Sequence, residues 1–242
     1  MNISIVIPAF NEERLLGETL RRVNTAAAAF VRRGWQFEVL VCDNNSTDRT
    51  AEIARTAGAR VVFESFNQIA RARNTGAREA HGDWLLFIDA DSWPSAELFA
   101  DVVAAIDSGR YLAGGSTVAL EPGPHWRGRL VVRLWNGLSR ARRLLAGSFI
   151  FCETSEFRQL GGFSEKHFAA EEIELSARLK KRARETGRRI VILTRHPLVT
   201  SARKMYLYSS GEYARFLLKT VLGGGRTLYS RDACQPWYDG RR

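Results

Sequence analysis

The sequence has little cysteine and no long uncharged apolar segment. Its three cysteines, Cys42, Cys152 and Cys234, lie far apart and show no C-x-x-C spacing. An odd count without that spacing argues against a disulfide framework or a zinc site, and a reducing compartment is the simplest setting. No uncharged apolar run approaches the roughly 18 residues that span a bilayer. Residues 1–8 carry no basic segment, so we expect neither a membrane-spanning helix nor a signal peptide.

The composition is that of a globular domain with an excess of positive charge. Of the 242 residues, 45% are hydrophobic and 26% are charged, and the formal net charge is +10. This length suits one α/β domain, alone or with a small extension. The charge is compatible with nucleic acid, with an anionic membrane surface or with phosphate-bearing small molecules as partners, and it does not choose among them.

The first half of the chain alternates between strand and helix patterns. Such alternation predicts an α/β fold with a mostly parallel sheet and right-handed crossovers. We expect Pro8 to stop the first strand and Ser46 or Thr47 to cap the second helix. The predicted strands are residues 3–7, 37–42, 60–64 and 84–88, and the predicted helices are residues 12–33, 46–56 and 69–80.

Short motifs lie at the ends of three of these strands, at the edge of the sheet where parallel sheets bind ligands. They are Pro8 with Ala9, then Asp43, and then Asp89 and Asp91 after a buried five-residue apolar run. Carboxylates at spacing i, i+2 can turn toward one ion, and oxygen ligands suit Mg²⁺ or Mn²⁺ bound to a phosphate. The alternative is that Asp91 begins a helix as its cap.

The second half is less regular, and one of its helices is unusually basic. The predicted elements are strands at residues 112–120, 148–152 and 190–193, helices at residues 126–145 and 171–184, and a turn at residues 161–163. The helix over residues 126–145 carries six arginines and no acid, with leucines and a valine on one stripe. Two interpretations stay open: peripheral contact with an anionic membrane, or a core-packed helix with a solvated basic face.

Several short motifs together resemble the family 2 glycosyltransferases of the GT-A fold. They are residues 4–13, 43–48, 72–77, 89–91, 161–163 and 171–172, in the order and spacing of that family over roughly residues 3–200. The resemblance implies an inverting transfer of a sugar from a nucleoside diphosphate donor, usually a UDP-sugar, to an acceptor hydroxyl. It also implies a Rossmann-like central sheet flanked by helices, with Mn²⁺ or Mg²⁺ as the metal.

The resemblance assigns roles near the donor to nine residues. They are Pro8, Ala9, Phe10 and Glu12 in the nucleoside pocket, Asp43 at the base, Arg73 at the diphosphate, and Asp89, Ala90 and Asp91 at the ribose and the metal. A metal and a nearby cation would stabilise the negative charge that develops on the departing diphosphate.

The resemblance places the catalytic base at Glu172, with Glu171 beside it. The family usually has Glu-Asp at this point, whereas this chain has Glu-Glu, so either carboxylate could be the base and we favour Glu172. The chemistry needs such a group, because an acceptor hydroxyl must lose its proton during the attack. Without the resemblance, both acids would simply suit the first turn of a helix.

Three residues near the end of the predicted domain have two interpretations each. His196 is either a further metal ligand or a loop residue before a proline. Arg203 and Lys204 either contact the diphosphate or an anionic acceptor, or belong to a solvated basic loop.

The resemblance also divides the chain. We expect a GT-A domain over residues 1–205, with a nucleotide-binding half at 1–110 and an acceptor and catalytic half at 111–205, followed by a C-terminal helical extension at 206–242. The expected partners are a nucleotide-sugar donor and a glycan, lipid-linked or small-molecule acceptor. The expected location is the cytoplasm, with association at the inner face of a membrane as an option.

Other functions have less support from the residues. An inactive or regulatory GT-A protein that binds nucleotide sugar would explain the Glu-Glu departure. A sugar nucleotidyltransferase should carry a glycine-rich basic signature after the first strand, but residues 8–13 hold two acids and no glycine. Nucleic acid is not an expected partner, because carboxylates at three strand ends would repel phosphates in the absence of a metal.

Overall fold

The helices and strands form one mixed α/β sheet with helices packed on both faces. The computed structural model describes residues 1–122, 126–203, 219 and 226–234. The strands are β1 (Asn2–Ala9), β2 (Gln36–Asp43), β3 (Arg60–Phe63), β4 (Trp84–Ile88), β5 (Ser92–Trp93), β6 (Tyr111–Leu120), β7 (Phe149–Glu153) and β8 (Arg189–Thr200). The helices are α1 (Leu16–Ala26), α2 (Ala28–Arg32), α3 (Thr50–Thr56), α4 (Ile69–Glu79), α5 (Ala96–Asp107), α6 (Trp126–Arg142), α7 (Thr154–Gln159) and α8 (Glu171–Glu185).

The eight strands lie in the order β3-β2-β1-β4-β7-β6-β8-β5. The first four are parallel to one another, as the alternating pattern predicts. In the other half, β7 runs antiparallel to both β4 and β6, while β6 and β8 are parallel and β5 is antiparallel to β8. The sheet is therefore more mixed than expected, because an apolar run identifies a buried strand but carries no information on its direction.

Two apolar clusters hold the helices against the two faces of the sheet. Alternate residues of β1 supply both clusters: Ile5 packs into the one that contains α1 and α5, and Val6 packs into the one that contains α8. This division follows from the period-2 alternation of side chains along a strand. The central strand β4 is buried along its whole length, as expected for a strand that helices cover on both sides.

Several local predictions need correction. Pro8 does not stop β1 but lies within it, opposite Cys42, near the carboxyl end of the strand. Neither Ser46 nor Thr47 caps α3, because that helix begins at Thr50, whose backbone N–H donates to the Asp48 carboxylate. The helix predicted over residues 12–33 is two helices, α1 and α2, that meet at Ala27.

Asp91 does not cap a helix. Residues 92–93 form the short strand β5, and α5 is capped instead by Ser95, whose Oγ accepts a hydrogen bond from the Leu98 backbone N–H at 3.2 Å. The alternative interpretation of Asp91 is therefore wrong, and its side chain is not engaged in a cap.

The predicted extension at residues 206–242 lies largely outside the described residues. Its described part contains two short 3₁₀ helices, Arg226–Tyr229 and Asp232–Cys234. The backbone carbonyl of Leu228 accepts a hydrogen bond from the Phe168 N–H at 2.7 Å, which ties this segment to the loop before α8. Among the helices that the structure describes, none combines the length and the hydropathy needed to cross a bilayer.

Candidate functional site

The carboxyl ends of β1, β2 and β4 bring the predicted donor residues to one edge of the sheet. Ala9 pairs with Asp43 across β1 and β2, and the Asn44 N–H donates to the Ala9 carbonyl at 2.8 Å. Val6 is in register with Phe87, so Asp89 follows β4 at the level of Pro8. The convergence follows from parallel pairing, which places equivalent ends side by side.

The loops after β1 and β2 are tied together by hydrogen bonds between them. The Asn11 carboxamide oxygen accepts from the Thr47 N–H at 2.8 Å, and the Asn11 N–H donates to the Ser46 hydroxyl at 3.0 Å. Asn11 has a positive φ of 53°, which asparagine tolerates better than most residues. The Asp43 side chain is buried and accepts from the Ser46 N–H at 3.1 Å. Of the remaining pocket residues, Phe10 is half-buried at this edge.

Arg73 is the centre of a buried ionic cluster. Its side chain is only 2% exposed, and the guanidinium donates to Glu171 at 2.5 Å, to Asp89 at 2.9 Å and to the carbonyl of Gly147 at 2.9 Å. One face of the guanidinium lies 5.2 Å from the ring centroid of Phe163. The hydrogen bond from the guanidinium to Asp89 holds that carboxylate in position. Contact of Arg73 with a donor diphosphate stays a prediction.

The charge of Arg73 is retained in spite of its burial. Desolvation opposes the charged form, but the carboxylates of Asp89, Glu171 and Glu172 outweigh it, so the pKa of Arg73 lies above its ordinary value. A buried cation is stable only with such partners, which explains why three acids and a carbonyl surround it.

The two adjacent acids at the start of α8 have different environments. Glu171 is buried and paired with Arg73. Glu172 is half-buried and lies close to the charges of Glu171 and Arg73. Burial and the nearby charge of Glu171 raise the pKa of Glu172 to about 8, although Arg73 pulls in the opposite direction. A carboxyl group with a pKa perturbed in this way is a candidate for proton transfer, and the role of Glu172 as the base stays a prediction.

Gly147 lies against two members of this cluster, Arg73 and Glu172. A Cβ at this position would lie 3.2 Å from the Arg73 Nη2 atom and 3.5 Å from the carboxyl carbon of Glu172. The glycine also supplies the carbonyl that Arg73 binds. We therefore expect the absence of a side chain here to let the two groups approach the backbone closely.

Asp91 and Glu12 share a second arginine. The Arg203 Nη2 atom lies 2.7 Å from the Glu12 carboxylate and 3.6 Å from the Asp91 carboxylate, and the Arg203 side chain is 15% exposed. Burial disfavours the charge of Arg203, but Glu12 and then Asp91 raise its pKa above the ordinary value. The structure thus brings Arg203 to the edge where β1 and β4 end, while Lys204 lies outside the described residues.

The predicted further metal ligand, His196, is paired with another residue in the structure. His196 does not follow a strand but lies within β8, and its Nδ1 atom is 2.9 Å from the carboxylate of Asp101 on α5. In the described part of the chain, no group of three or more His, Cys, Asp or Glu side chains could hold a metal. Asp89 and Asp91 have the oxygen ligands that Mg²⁺ or Mn²⁺ prefers, because these ions use one or two carboxylates together with substrate phosphates, and their joint role as metal ligands stays a prediction.

Sequence reasoning missed three supporting residues of the site. Gly147 precedes a strand without any motif around it, and Asn11 lies inside the motif at residues 4–13 but received no role of its own. Ala170, the residue before α8, has a positive φ of 62°, which is rare for alanine and is typical of strained backbone near functional groups. Only the folded backbone shows these conformations and contacts.

Comparison with protein-family models matches residues 4–158 to the model described as Glycosyl transferase family 2. Among curated relatives, the undecaprenyl-phosphate 4-deoxy-4-formamido-L-arabinose transferase of Edwardsiella ictaluri is 34% identical over 56% of this chain and 42% of its own length. The dolichol-phosphate mannosyltransferase of Pyrococcus furiosus is 30% identical over 48% of this chain and 33% of its own. The matched part of this chain thus corresponds to less than half of either relative.

Solved structures of transferases have the same overall fold. The mannosyltransferase PcManGT from Pyrobaculum calidifontis, in complex with GDP-Man and Mn²⁺, gives a TM-score of 0.66 at 21% identity over 98% of this chain and 67% of its own. TarS from S. aureus gives a TM-score of 0.65 at 22% identity, over 91% of this chain and 65% of its own. At these identities the likeness shows the fold.

Proposed function

The chain belongs to glycosyltransferase family 2 and has the GT-A fold, and on that premise we propose that it transfers a sugar from a nucleoside diphosphate sugar to an acceptor hydroxyl with inversion. The observation that carries this proposal is the half-buried carboxyl group of Glu172, which lies with the Arg73 guanidinium against Gly147. It has a raised pKa and lies beside the arginine that holds Asp89. An inverting transfer needs these two functions close together: acids that face the donor and a carboxylate that takes the acceptor proton.

The donor would lie across the carboxyl ends of β1, β2 and β4, in the half formed by residues 1–110. Asp43 is buried there and could accept a hydrogen bond from a base such as uracil. Pro8, Ala9, Phe10 and Glu12 end or follow β1 at the same edge. The nucleoside is proposed as uridine, and the GDP-Man complex of PcManGT makes guanosine the alternative that the experiment below must distinguish.

Asp91, together with Asp89, would hold the divalent ion. Bound there, the ion would supply positive charge to the diphosphate leaving group. Arg203 lies at the same place, because its guanidinium contacts the carboxylates of both Glu12 and Asp91. We propose that Arg203 releases these carboxylates to bind the donor diphosphate, which has the higher charge.

Glu172 would accept the proton of the acceptor hydroxyl. A base is most effective when its pKa lies near the working pH, and partial burial together with the charge of Glu171 raises the pKa of Glu172 in that direction. Glu171 is committed to Arg73, so it would position the arginine and Asp89 rather than exchange protons. The acceptor would enter through the half formed by residues 111–205, which contains α8.

The proposed acceptor is a glycan, a small molecule or a lipid-linked group. The two curated relatives are named for undecaprenyl phosphate and dolichol phosphate, which favours a lipid-linked acceptor. If the attacking atom were a phosphate oxygen, it would already be ionised near neutral pH and would need no base. The ionisation of Glu172 would then have little effect on the rate.

We propose a cytoplasmic location because the cysteines form no disulfide bond. All three are buried free thiols, which is common in a reducing compartment.

The proposal is tested first by donor binding. Melting temperatures would be compared with UDP, GDP and CDP, each with Mn²⁺ and with EDTA, because a ligand that binds only the folded state raises the melting temperature. We expect stabilisation by UDP that EDTA abolishes. Stabilisation by GDP alone would change the nucleoside, and stabilisation that is insensitive to EDTA would contradict the role of Asp91.

The second test is the substitution Glu172→Gln. It should keep donor binding and lose transfer to a hydroxyl acceptor by about 10²–10⁴-fold. Full transfer activity would exclude Glu172 as the base. The matched control is Glu174→Gln on the same helix, which should retain activity because Glu174 pairs with Arg178 away from the cluster.

A further inference from the structure

Four large apolar side chains of α6 are exposed to solvent. Leu130, Val131, Leu134 and Leu138 are 46%, 61%, 67% and 47% exposed. At helical periodicity these four residues fall within one sector of about 100°, so they form a continuous apolar row along the helix. Their exposure argues against packing of this row in the core, and contact of the helix with a membrane stays a prediction.

Asn136 attaches the inward face of α6 to the sheet, and Ser139 bonds to the segment that follows the helix. The Asn136 side chain donates to the Val118 carbonyl at 2.8 Å and accepts from the Val118 N–H at 3.0 Å. One turn further on, the buried Ser139 hydroxyl donates to the Leu144 carbonyl at 2.7 Å. Asn136 thus fixes the helix to β6, Val132 and Trp135 are half-buried, and the row of three leucines and Val131 stays exposed to solvent.

Arginines border the apolar row on both sides. Arg129, Arg133 and Arg140 are exposed along one flank, and Arg142 lies on the other. The helix carries no acid. An apolar row with cationic flanks is the pattern of a helix that lies in the plane of a membrane interface.

A strongly basic cavity continues this positive surface beyond the end of α6. Its volume is about 700 Å³, and seven basic residues line it: Arg140, Arg142, Arg143, Lys180, Arg184, Arg188 and Arg189. Arg188 pairs with Glu153 and Glu156, but among the described residues the other lining arginines have no carboxylate partner. Such a concentration of unpaired cations favours an anionic partner.

We propose that the exposed face of α6 docks on the surface of an anionic phospholipid membrane, with the apolar row in the headgroup region and the flanking arginines on lipid phosphates. A second copy of the chain fits this face poorly, since a symmetric contact would bring arginines against arginines. Nucleic acid would use the arginines but would leave the apolar row in water.

The docked helix would hold the candidate site beside the membrane. β6 leads into α6 and ends at Leu120, which pairs with Thr200 of β8. The next residue of that segment, Ser201, donates through its N–H to the Asp91 carbonyl at 2.9 Å. β6, the strand that precedes α6 in the sequence, therefore ends close to the segment that carries Asp91 of the candidate site. The inference concerns binding alone and does not depend on the proposed transfer reaction.

Vesicle flotation of the full chain tests the proposal. Vesicles of phosphatidylcholine alone would be compared with vesicles that contain about 30% phosphatidylglycerol. We expect binding to the anionic vesicles only, weakened by salt. The double substitution Leu134→Ser with Leu138→Ser should weaken binding at least about tenfold. Its matched control is Val31→Ser on α2, which removes a side chain that is 58% exposed elsewhere.

A charge series tests the arginines separately. Arg129→Gln with Arg133→Gln should weaken binding roughly 25-fold, since each arginine near an anionic surface contributes about fivefold. Arg32→Gln with Arg55→Gln, on α2 and α3, removes the same charge from other surfaces and should change binding little. An unchanged melting temperature would show that each variant remains folded.

Three results would overturn the proposal. The first is that the wild-type protein does not bind anionic vesicles or binds neutral ones equally well. The second is that the leucine variant binds as tightly as the wild type, which would mean that the apolar row does not enter the membrane. The third is a dimer in vesicle-free solution that the leucine variant abolishes, which would assign the face to a second copy.

Discussion

Arg73 of α4 and Glu171 of α8 form an ion pair inside the protein, with Nη1 and Oε1 2.5 Å apart and both side chains less than 5% exposed. The two residues are far apart in the sequence and on different helices. Because Arg73 also binds Asp89, the pair connects the end of β4 to the start of α8. The donor acids and the acceptor half of the proposed site are thus joined through one guanidinium.

Glu171→Ala should lower the free energy of unfolding by about 3 kcal/mol. Removing one partner of a buried pair leaves the other charge without full compensation. Urea denaturation would measure the change. Glu52→Ala provides the control, because Glu52 pairs with Arg49 in solvent and its loss should leave stability nearly unchanged. Equal effects in the two variants would mean that the buried pair does not stabilise the protein.

The stability of the protein should depend on pH through Glu172. Its pKa is raised from 4.5 to about 8 on folding, so the folded state binds this proton more tightly than the unfolded state. The contribution is therefore fully favourable below about pH 4.5 and is lost as pH rises to about 8. Glu172→Gln cannot titrate, so its stability relative to the wild type should increase across this window and level off above it.

Denaturation of both proteins at several pH values between about 5 and 9 would measure this difference. A stability difference that stays constant with pH would contradict a raised pKa at Glu172. Glu174→Gln again serves as the control, and its difference from the wild type should not show the same rise.

Gly147→Ala should impair transfer more than it impairs folding. The new Cβ would lie 3.2 Å from the Arg73 guanidinium, so the arginine or the backbone must shift by a few tenths of an ångström. We expect a loss of kcat of about tenfold or more, because small displacements of catalytic groups are costly. Gly137→Ala on α6 has open space around it and should keep full activity with a slightly higher stability.

Asp91→Asn should abolish metal-dependent binding of the nucleoside diphosphate while the fold stays intact. The amide has the same shape but lacks the negative charge that a divalent ion requires. Titration calorimetry with UDP and Mn²⁺ would measure the loss. Asp107→Asn, in the exposed pair with Arg33, is the control and should bind as the wild type does. Undiminished binding by Asp91→Asn would remove Asp91 from the metal site.

The sequence predicted most of the strands and the edge at which the donor residues meet. β4 begins and ends where its apolar run does, because a short apolar segment between polar residues can only be a buried strand in this context. The predictions of strand length were wrong where pairing with a neighbouring strand decides how far a strand extends. Pro8 continues β1 since its missing N–H is tolerated near a strand end, and His196 lies inside β8, whose length depends on pairing with β6.

By itself, the sequence determined the family, the alternating fold and the positions of the acids, because apolar periodicity and short motifs are local properties of the chain. Only the tertiary structure decided that Glu171 is committed to Arg73 while Glu172 is left with a raised pKa. Only the tertiary structure showed that the leucines of α6 face outward. Both outcomes depend on which groups from distant segments come into contact, and neither burial nor charge pairing can be read from residue order alone.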